Sequence, residues 1–132
     1  MNNNAASNTF VFNNKIDKEL LHSLYEDDYP YMEEIFSITL TQLKPDFLKL
    51  QEAFEKGNLT EIKQTVHKVK PSFGFVGLPG AQQVCKEFED LCANNNSVAA
   101  IKEAYNALYS IITDSIAIIE DDYAKLNEYN KA

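Results

Sequence analysis

Residues 65–80 read TVHKVKPSFGFVGLPG, and this stretch decides the fold. Through it and just upstream, Leu59, Ile62, Val66, Val69, Phe73 and Val76 recur at alternating steps of three and four. That spacing places one buried stripe on an amphipathic helix. His67, one of two histidines in the chain, stands one residue off the stripe. Its ring is therefore expected at the flank of the buried face, within reach of solvent. Lys63, His67, Lys70 and Gly74 follow at steps of four, three and four, forming a second stripe beside the first. Asn58 with Glu61 three residues on reads as a capped start, and Gly77 as the stop.

Working outward, residues 29–56 predict a long helix with Pro30 in its first turn and Gly57 at its close. Its core stripe is Met32, Phe36, Leu40, Leu43, Phe47, Leu50 and Phe54, and Pro45 inside it predicts a kink. A second apolar row, Tyr31, Ile35 and Ile38, lies on a neighbouring face. It is either covered by a short helix predicted over 16–25 or left open as a docking patch. Pro79 begins a fourth helix with Ala81, Val84, Cys85, Phe88 and Leu91 inward. After a turn at 94–97, a last helix carries Ile101, Tyr105, Leu108, Ile112, Ser115, Ile119 and Tyr123, and its acidic run at 120–122 reads as a solvated face. Residues 1–14, with six asparagines and no helical period, read as a disordered tail, although Phe10, Val11 and Phe12 offer apolar side chains to the bundle. Residues 15–132 are then one domain: an all-α, antiparallel up-and-down four-helix bundle with a short extra N-terminal helix.

Composition narrows the function classes. A net charge of −8 over 132 residues argues against a nucleic-acid backbone or an anionic membrane as partner, and makes the lysines around His67 a local exception. No apolar run approaches the roughly 20 residues of a membrane span. Cys85 and Cys92, seven apart on one helix, are too far apart along it to bridge and read as small buried hydrophobes in a reducing cytoplasm. Glu19 with His22 is a single Glu-x-x-His, where a carboxylate-bridged di-metal bundle needs two. No Gly-rich phosphate loop and no Cys/His metal spacing is visible.

His67, Lys70, Ser72 and Gly77 resemble the motif of the histidine phosphotransfer (HPt) domain family, His-x-x-Lys-Gly-Ser followed by a Gly where Gly77 stands. The resemblance extends over about residues 16–126, with one departure: Pro71 occupies the position of the usual glycine. It implies a phosphorelay intermediate in two-component signalling, a monomer that takes a phosphoryl group on His67 from a receiver-domain aspartate and hands it to another receiver. The partners implied are response-regulator receiver domains or a hybrid histidine kinase. The module has no nucleotide site or cofactor of its own, and Mg²⁺ is expected on the partner receiver.

The residues fit that chemistry. A neutral imidazole is a competent nucleophile toward an activated phosphoryl group, and the transfer then needs positioning and charge neutralisation. Lys70 would stabilise the phosphoryl charge, with Lys63 one turn back in support. Pro71 and Gly74 would border the partner, with Gly74 giving clearance that proline does not, and Tyr31, Ile35 and Ile38 would form a further docking row. Two other classes remain: a module of the same fold that binds a receiver or kinase without accepting phosphate, and a small metallo-bundle around His22.

Overall fold

The computed structural model describes residues 9–132. Within them lie five α-helices: α1 (Lys18–Tyr25), α2 (Tyr29–Glu55), α3 (Leu59–Phe75), α4 (Pro79–Ala93) and α5 (Lys102–Lys131), the last preceded by a 3₁₀ turn at Ala99–Ile101. The starts are chemically marked. Asp17, Asp28 and Asn58 each accept a backbone N–H of the first turn, at 3.0, 3.0 and 3.1 Å, which satisfies donors a helix cannot satisfy itself. The Asn58 side-chain amide also donates to the Glu61 carboxylate at 3.2 Å.

The four long helices form the bundle. α3 packs between α2 and α4, and α5 closes the ring against both. Lys68 meets Asp46 across α2 and α3. Phe54 near the end of α2 stacks on Tyr105 near the start of α5, while Asn130 reaches Tyr29 at the opposite ends, so these two helices run antiparallel. With 27 and 30 residues they are far longer than α3 and α4, with 17 and 15. The core is a single cluster in which Phe36, Phe73, Leu43, Ile62, Leu108 and Ile112 are almost wholly removed from water. Each such side chain contributes about 1.5–3 kcal/mol of burial.

The prolines do not end either helix: α2 runs on through Pro45 and α3 through Pro71. Both rings lie on exposed faces. The carbonyls they leave without an intrahelical donor, those of Thr41 and His67, are on the side where water can replace it.

Three sequence expectations are corrected. Residues 1–8, most of the expected tail, lie outside the described residues, but the boundary at residue 14 is too late. Phe10 is buried against Tyr29, Tyr129 and Phe12, and Phe12 packs on Phe36, while Val11 points outward. The acidic run is split: Glu120 and Asp121 are exposed, whereas Asp122 is completely buried because it continues the inward series of Ser115, Ile119 and Leu126. Its Oδ2 accepts the Asn13 N–H at 2.8 Å, tying the N-terminal segment to α5, and burial pushes its carboxyl above the ordinary range. Finally, α1 begins at Lys18, because Asp17 is its cap and Ile16 turns into the core.

Gly77 joins α3 to α4 and anchors that N-terminal segment. Its φ is +78°, a left-handed conformation that closes a helix with paired bonds, Gly77 N–H to Gly74 C=O and Leu78 N–H to Phe73 C=O. Its own carbonyl accepts the Asp17 N–H at 2.8 Å. An added Cβ would sit 2.8 Å from Ile16 Cγ2 and 3.0 Å from Leu21 Cγ. Gly77→Ala should therefore lower unfolding stability by about 1–2 kcal/mol or more, from dihedral cost plus crowding, read by denaturant titration. A change within about 0.5 kcal/mol would show that the turn is not under this constraint.

Candidate functional site

His67 lies in the middle of α3. Its side chain is 71% exposed. Nδ1 lies 2.9 Å from Oε2 of Glu89 on α4. An ionised carboxylate only accepts, so Nδ1 must carry the hydrogen, and in the neutral ring the lone pair then belongs to Nε2, on the side away from Glu89. The other Glu89 oxygen, Oε1, lies 2.8 Å from the Lys70 ammonium. That contact is a close ion pair between an ammonium and a carboxylate oxygen. One carboxylate thus holds two side chains of the second stripe, His67 and Lys70.

Glu89 is only 13% exposed and its carboxyl responds to opposing influences. Burial pushes it up, but the bonds and charges of Lys70 and His67 outweigh that and hold it below the ordinary carboxylate value. The sign follows: a carboxyl held low in the folded state adds stability at neutral pH, and that stability is lost as acid is added through its depressed value.

The other expected residues are placed less uniformly. Lys70 is three-quarters buried and already committed to Glu89, so its ammonium is stored beside the ring. Among the described residues no ion pair holds Lys63, which is exposed and whose charge is felt at Cys92. Burial nevertheless raises Cys92 to about 11 and Cys85 to about 12, consistent with two inert, buried thiols. Lys68 turns the other way and pairs with the buried Asp46 of α2 at 3.1 Å. Gly74 is half-buried, and a Cβ added there would stand 2.8 Å from the Gln82 side-chain oxygen of α4, so the side expected to be open is bordered by Gln82. Pro71 is exposed beside His67.

The row Tyr31, Ile35 and Ile38 divides. Tyr31 and Ile38 are about half exposed, but Ile35 packs on the core. With eight residues, α1 is too short to cover the row. It instead brings Leu24 and Tyr25 alongside: the Tyr25 ring meets Tyr31, and its hydroxyl donates to the Phe75 carbonyl at 2.7 Å. Leu24, Tyr31 and Phe75, all near half exposed, thus extend an apolar surface from α2 across to the His67 helix.

Two residues escaped sequence reasoning, Glu89 and Phe75. Phe75 falls between Phe73 and Val76 and only the helix phase turns it outward. Glu89 borders the apolar series of α4, but its match to His67, 22 residues away, exists only once the Gly77 turn sets the register. Elsewhere, His22 pairs with Asp27 at 3.0 Å on an exposed turn. Among the described residues no group of three or more His, Cys, Asp or Glu is arranged to hold a metal ion, and no helix is long and apolar enough to cross a membrane.

His67 is thus an exposed histidine on a helix of the bundle, with one ring nitrogen held by Glu89 and a lysine one turn on. The family model of the Hpt domain matches residues 34–125, and the chain belongs to that family. The HPT domain of an Hpt sensor hybrid histidine kinase from Shewanella superposes with a TM-score of 0.73 at 17% identity, covering 84% of this chain and 95% of that one. No curated protein matches.

The split of the apolar row has a measurable consequence. Ile35→Asp should cost about 2–3 kcal/mol of unfolding stability, because it places a charge at the core edge, whereas Ile38→Asp should stay within about 0.5 kcal/mol. Equal losses for both would mean that the row is uniformly buried.

Proposed function

We propose that this protein is a phosphorelay intermediate that accepts a phosphoryl group on Nε2 of His67 from a receiver-domain aspartate and passes it to another receiver. The observation that carries the reading is the ring itself: 71% exposed, with Nδ1 held by Glu89 and an ammonium one turn away. The Nε2 lone pair forms the bond to phosphorus while the bond to the aspartate oxygen breaks, and its electrons leave with that carboxylate. Lys70 then exchanges part of its contact with Glu89 for the phosphoryl oxygens and stabilises charge that gathers during transfer.

The activated phosphoryl group, and the Mg²⁺ that accompanies it, belong to the receiver. The chain itself acts as phosphoacceptor without a nucleotide site of its own. Receiver domains, alone or within a hybrid histidine kinase, are the partners that Hpt membership implies, and we place the exchange in the cytoplasm with the protein acting as a monomer. The surface of Leu24, Tyr31, Ile38 and Phe75, with Pro71 beside the histidine, is the docking face, since it is apolar, exposed and continuous with the His67 helix.

Incubation with a phosphorylated receiver should yield one acid-labile, base-stable phosphate that maps to His67. His67→Gln should abolish it with helix content and unfolding midpoint unchanged. Lys70→Ala should slow single-turnover transfer by on the order of 10–100-fold while weakening receiver binding little. A folded wild-type protein that binds a phosphorylated receiver and takes no phosphate would instead establish a binding module, with Pro71 the departure that sets it apart.

A further inference from the structure

We infer that Glu89 keeps a proton on Nδ1 of His67 throughout the transfer, so that the phosphoryl group enters and leaves Nε2 with no proton exchange. The inference rests on the phosphotransfer reading of this site and assigns Glu89 as its positioning residue, acting on the phosphoryl group only through the ring.

When Nε2 forms its bond to phosphorus, the hydrogen remains on Nδ1 and the ring becomes a cation. Left to water, that ring would lose the Nδ1 proton and become a neutral phosphoimidazole. The neutral form is a poor donor, because breaking its N–P bond would expel imidazolate. With the proton in place, the next receiver's carboxylate oxygen forms its bond to phosphorus, the N–P electrons return to Nε2, and neutral imidazole leaves. The histidine is then back in its starting tautomer, with Nδ1–H on Glu89.

The geometry suits that task. Glu89 Oε2 is 2.9 Å from Nδ1, on a helix that packs closely against α3 and with most of its side chain out of solvent. The other charged groups near the ring are committed elsewhere or cationic. From α3, Lys70 holds Oε1 of Glu89, Lys68 is paired with Asp46 of α2, and Lys63 is exposed. From α4, Lys86 pairs with Asp90 at 3.5 Å. Among the described residues, Glu89 is therefore the carboxylate bonded to this ring. As the Lys70 ammonium turns toward the phosphoryl oxygens, the Glu89 charge is neutralised less and bears more strongly on Nδ1–H, so the proton is held hardest when the ring is cationic. Glu89 itself stays ionised across neutral pH, because Lys70 and His67 outweigh the effect of burial.

Glu89→Gln separates charge from position, since the amide oxygen can still accept from Nδ1–H without the negative charge. Phospho-His67 would be prepared from wild type and Glu89→Gln with a phosphorylated receiver, and its transfer to a fresh receiver followed at several pH values. Wild type should transfer at a nearly constant rate between about pH 6 and 8.5, the range over which an unassisted imidazole would change charge. Glu89→Gln should match it near pH 6 and fall by about tenfold per pH unit above the titration of its phosphorylated ring. Nitrogen NMR of the wild-type phosphoprotein, which needs no substitution, should show Nδ1 protonated at about pH 8. Matching profiles in the two proteins, or a deprotonated Nδ1 in the wild type at that pH, would overturn the inference while leaving His67 the acceptor. Failure of the wild type to take phosphate at all would overturn the phosphotransfer reading itself, and this inference with it.

Discussion

The rest of the structure depends on the left-handed turn at Gly77. Gly77 and Leu78 donate to the Gly74 and Phe73 carbonyls at the end of α3, the Tyr25 hydroxyl takes that of Phe75, and Asp17 donates to the carbonyl of Gly77 itself. That closure fixes where α4 starts relative to α3, and therefore which α4 side chain faces His67. A glycine is required because the backbone is left-handed and because Ile16 and Leu21 press against the missing Cβ. The same residue that stops the histidine helix thus seats the N-terminal segment on it. Fold closure and site geometry share one constraint.

Charge is arranged in this molecule by pairing buried carboxylates one at a time. The chain carries −8 overall, yet the carboxylates that turn inward each have a chosen partner. Asp46 takes Lys68, Glu89 takes Lys70 and His67, Glu33 takes the amides of Asn127 and Asn130, and Asp122 takes the Asn13 N–H. Burying an unpaired carboxylate would cost several kcal/mol, so these partners are conditions of the packing. At His67 one carboxylate both pairs with the Lys70 ammonium and holds Nδ1 of the imidazole.

The site sits on helices rather than on a loop. α3 holds His67 and Lys70 on one rigid face, and α4 supports both from behind. Side chains carried on packed helices are held more precisely than side chains on a loop. The exposed apolar residues Leu24, Tyr31, Ile38 and Phe75 likewise come from helices, α1, α2 and α3.

The sequence by itself determined the class of fold and the helix order, and it singled out His67. Period, caps and breakers are local properties: the stripe from Leu59 to Val76, the Asn58 cap and the Gly77 stop were legible because each depends on residues within a turn or two. His67 and Lys70 were legible for the same reason, being neighbours on one helix. What required the tertiary structure is whatever links distant positions. Glu89 meets His67 only through the α3–α4 turn, and the bond that satisfies buried Asp122 comes from Asn13, 109 residues away. Gly74 looked open until Gln82 bordered it, and the row at Tyr31 divided only when α1 proved too short to cover it. A helix period states which face is apolar. Which neighbour fills that face, and which polar atom waits there, is decided by the relative register of helices, and no local pattern encodes it.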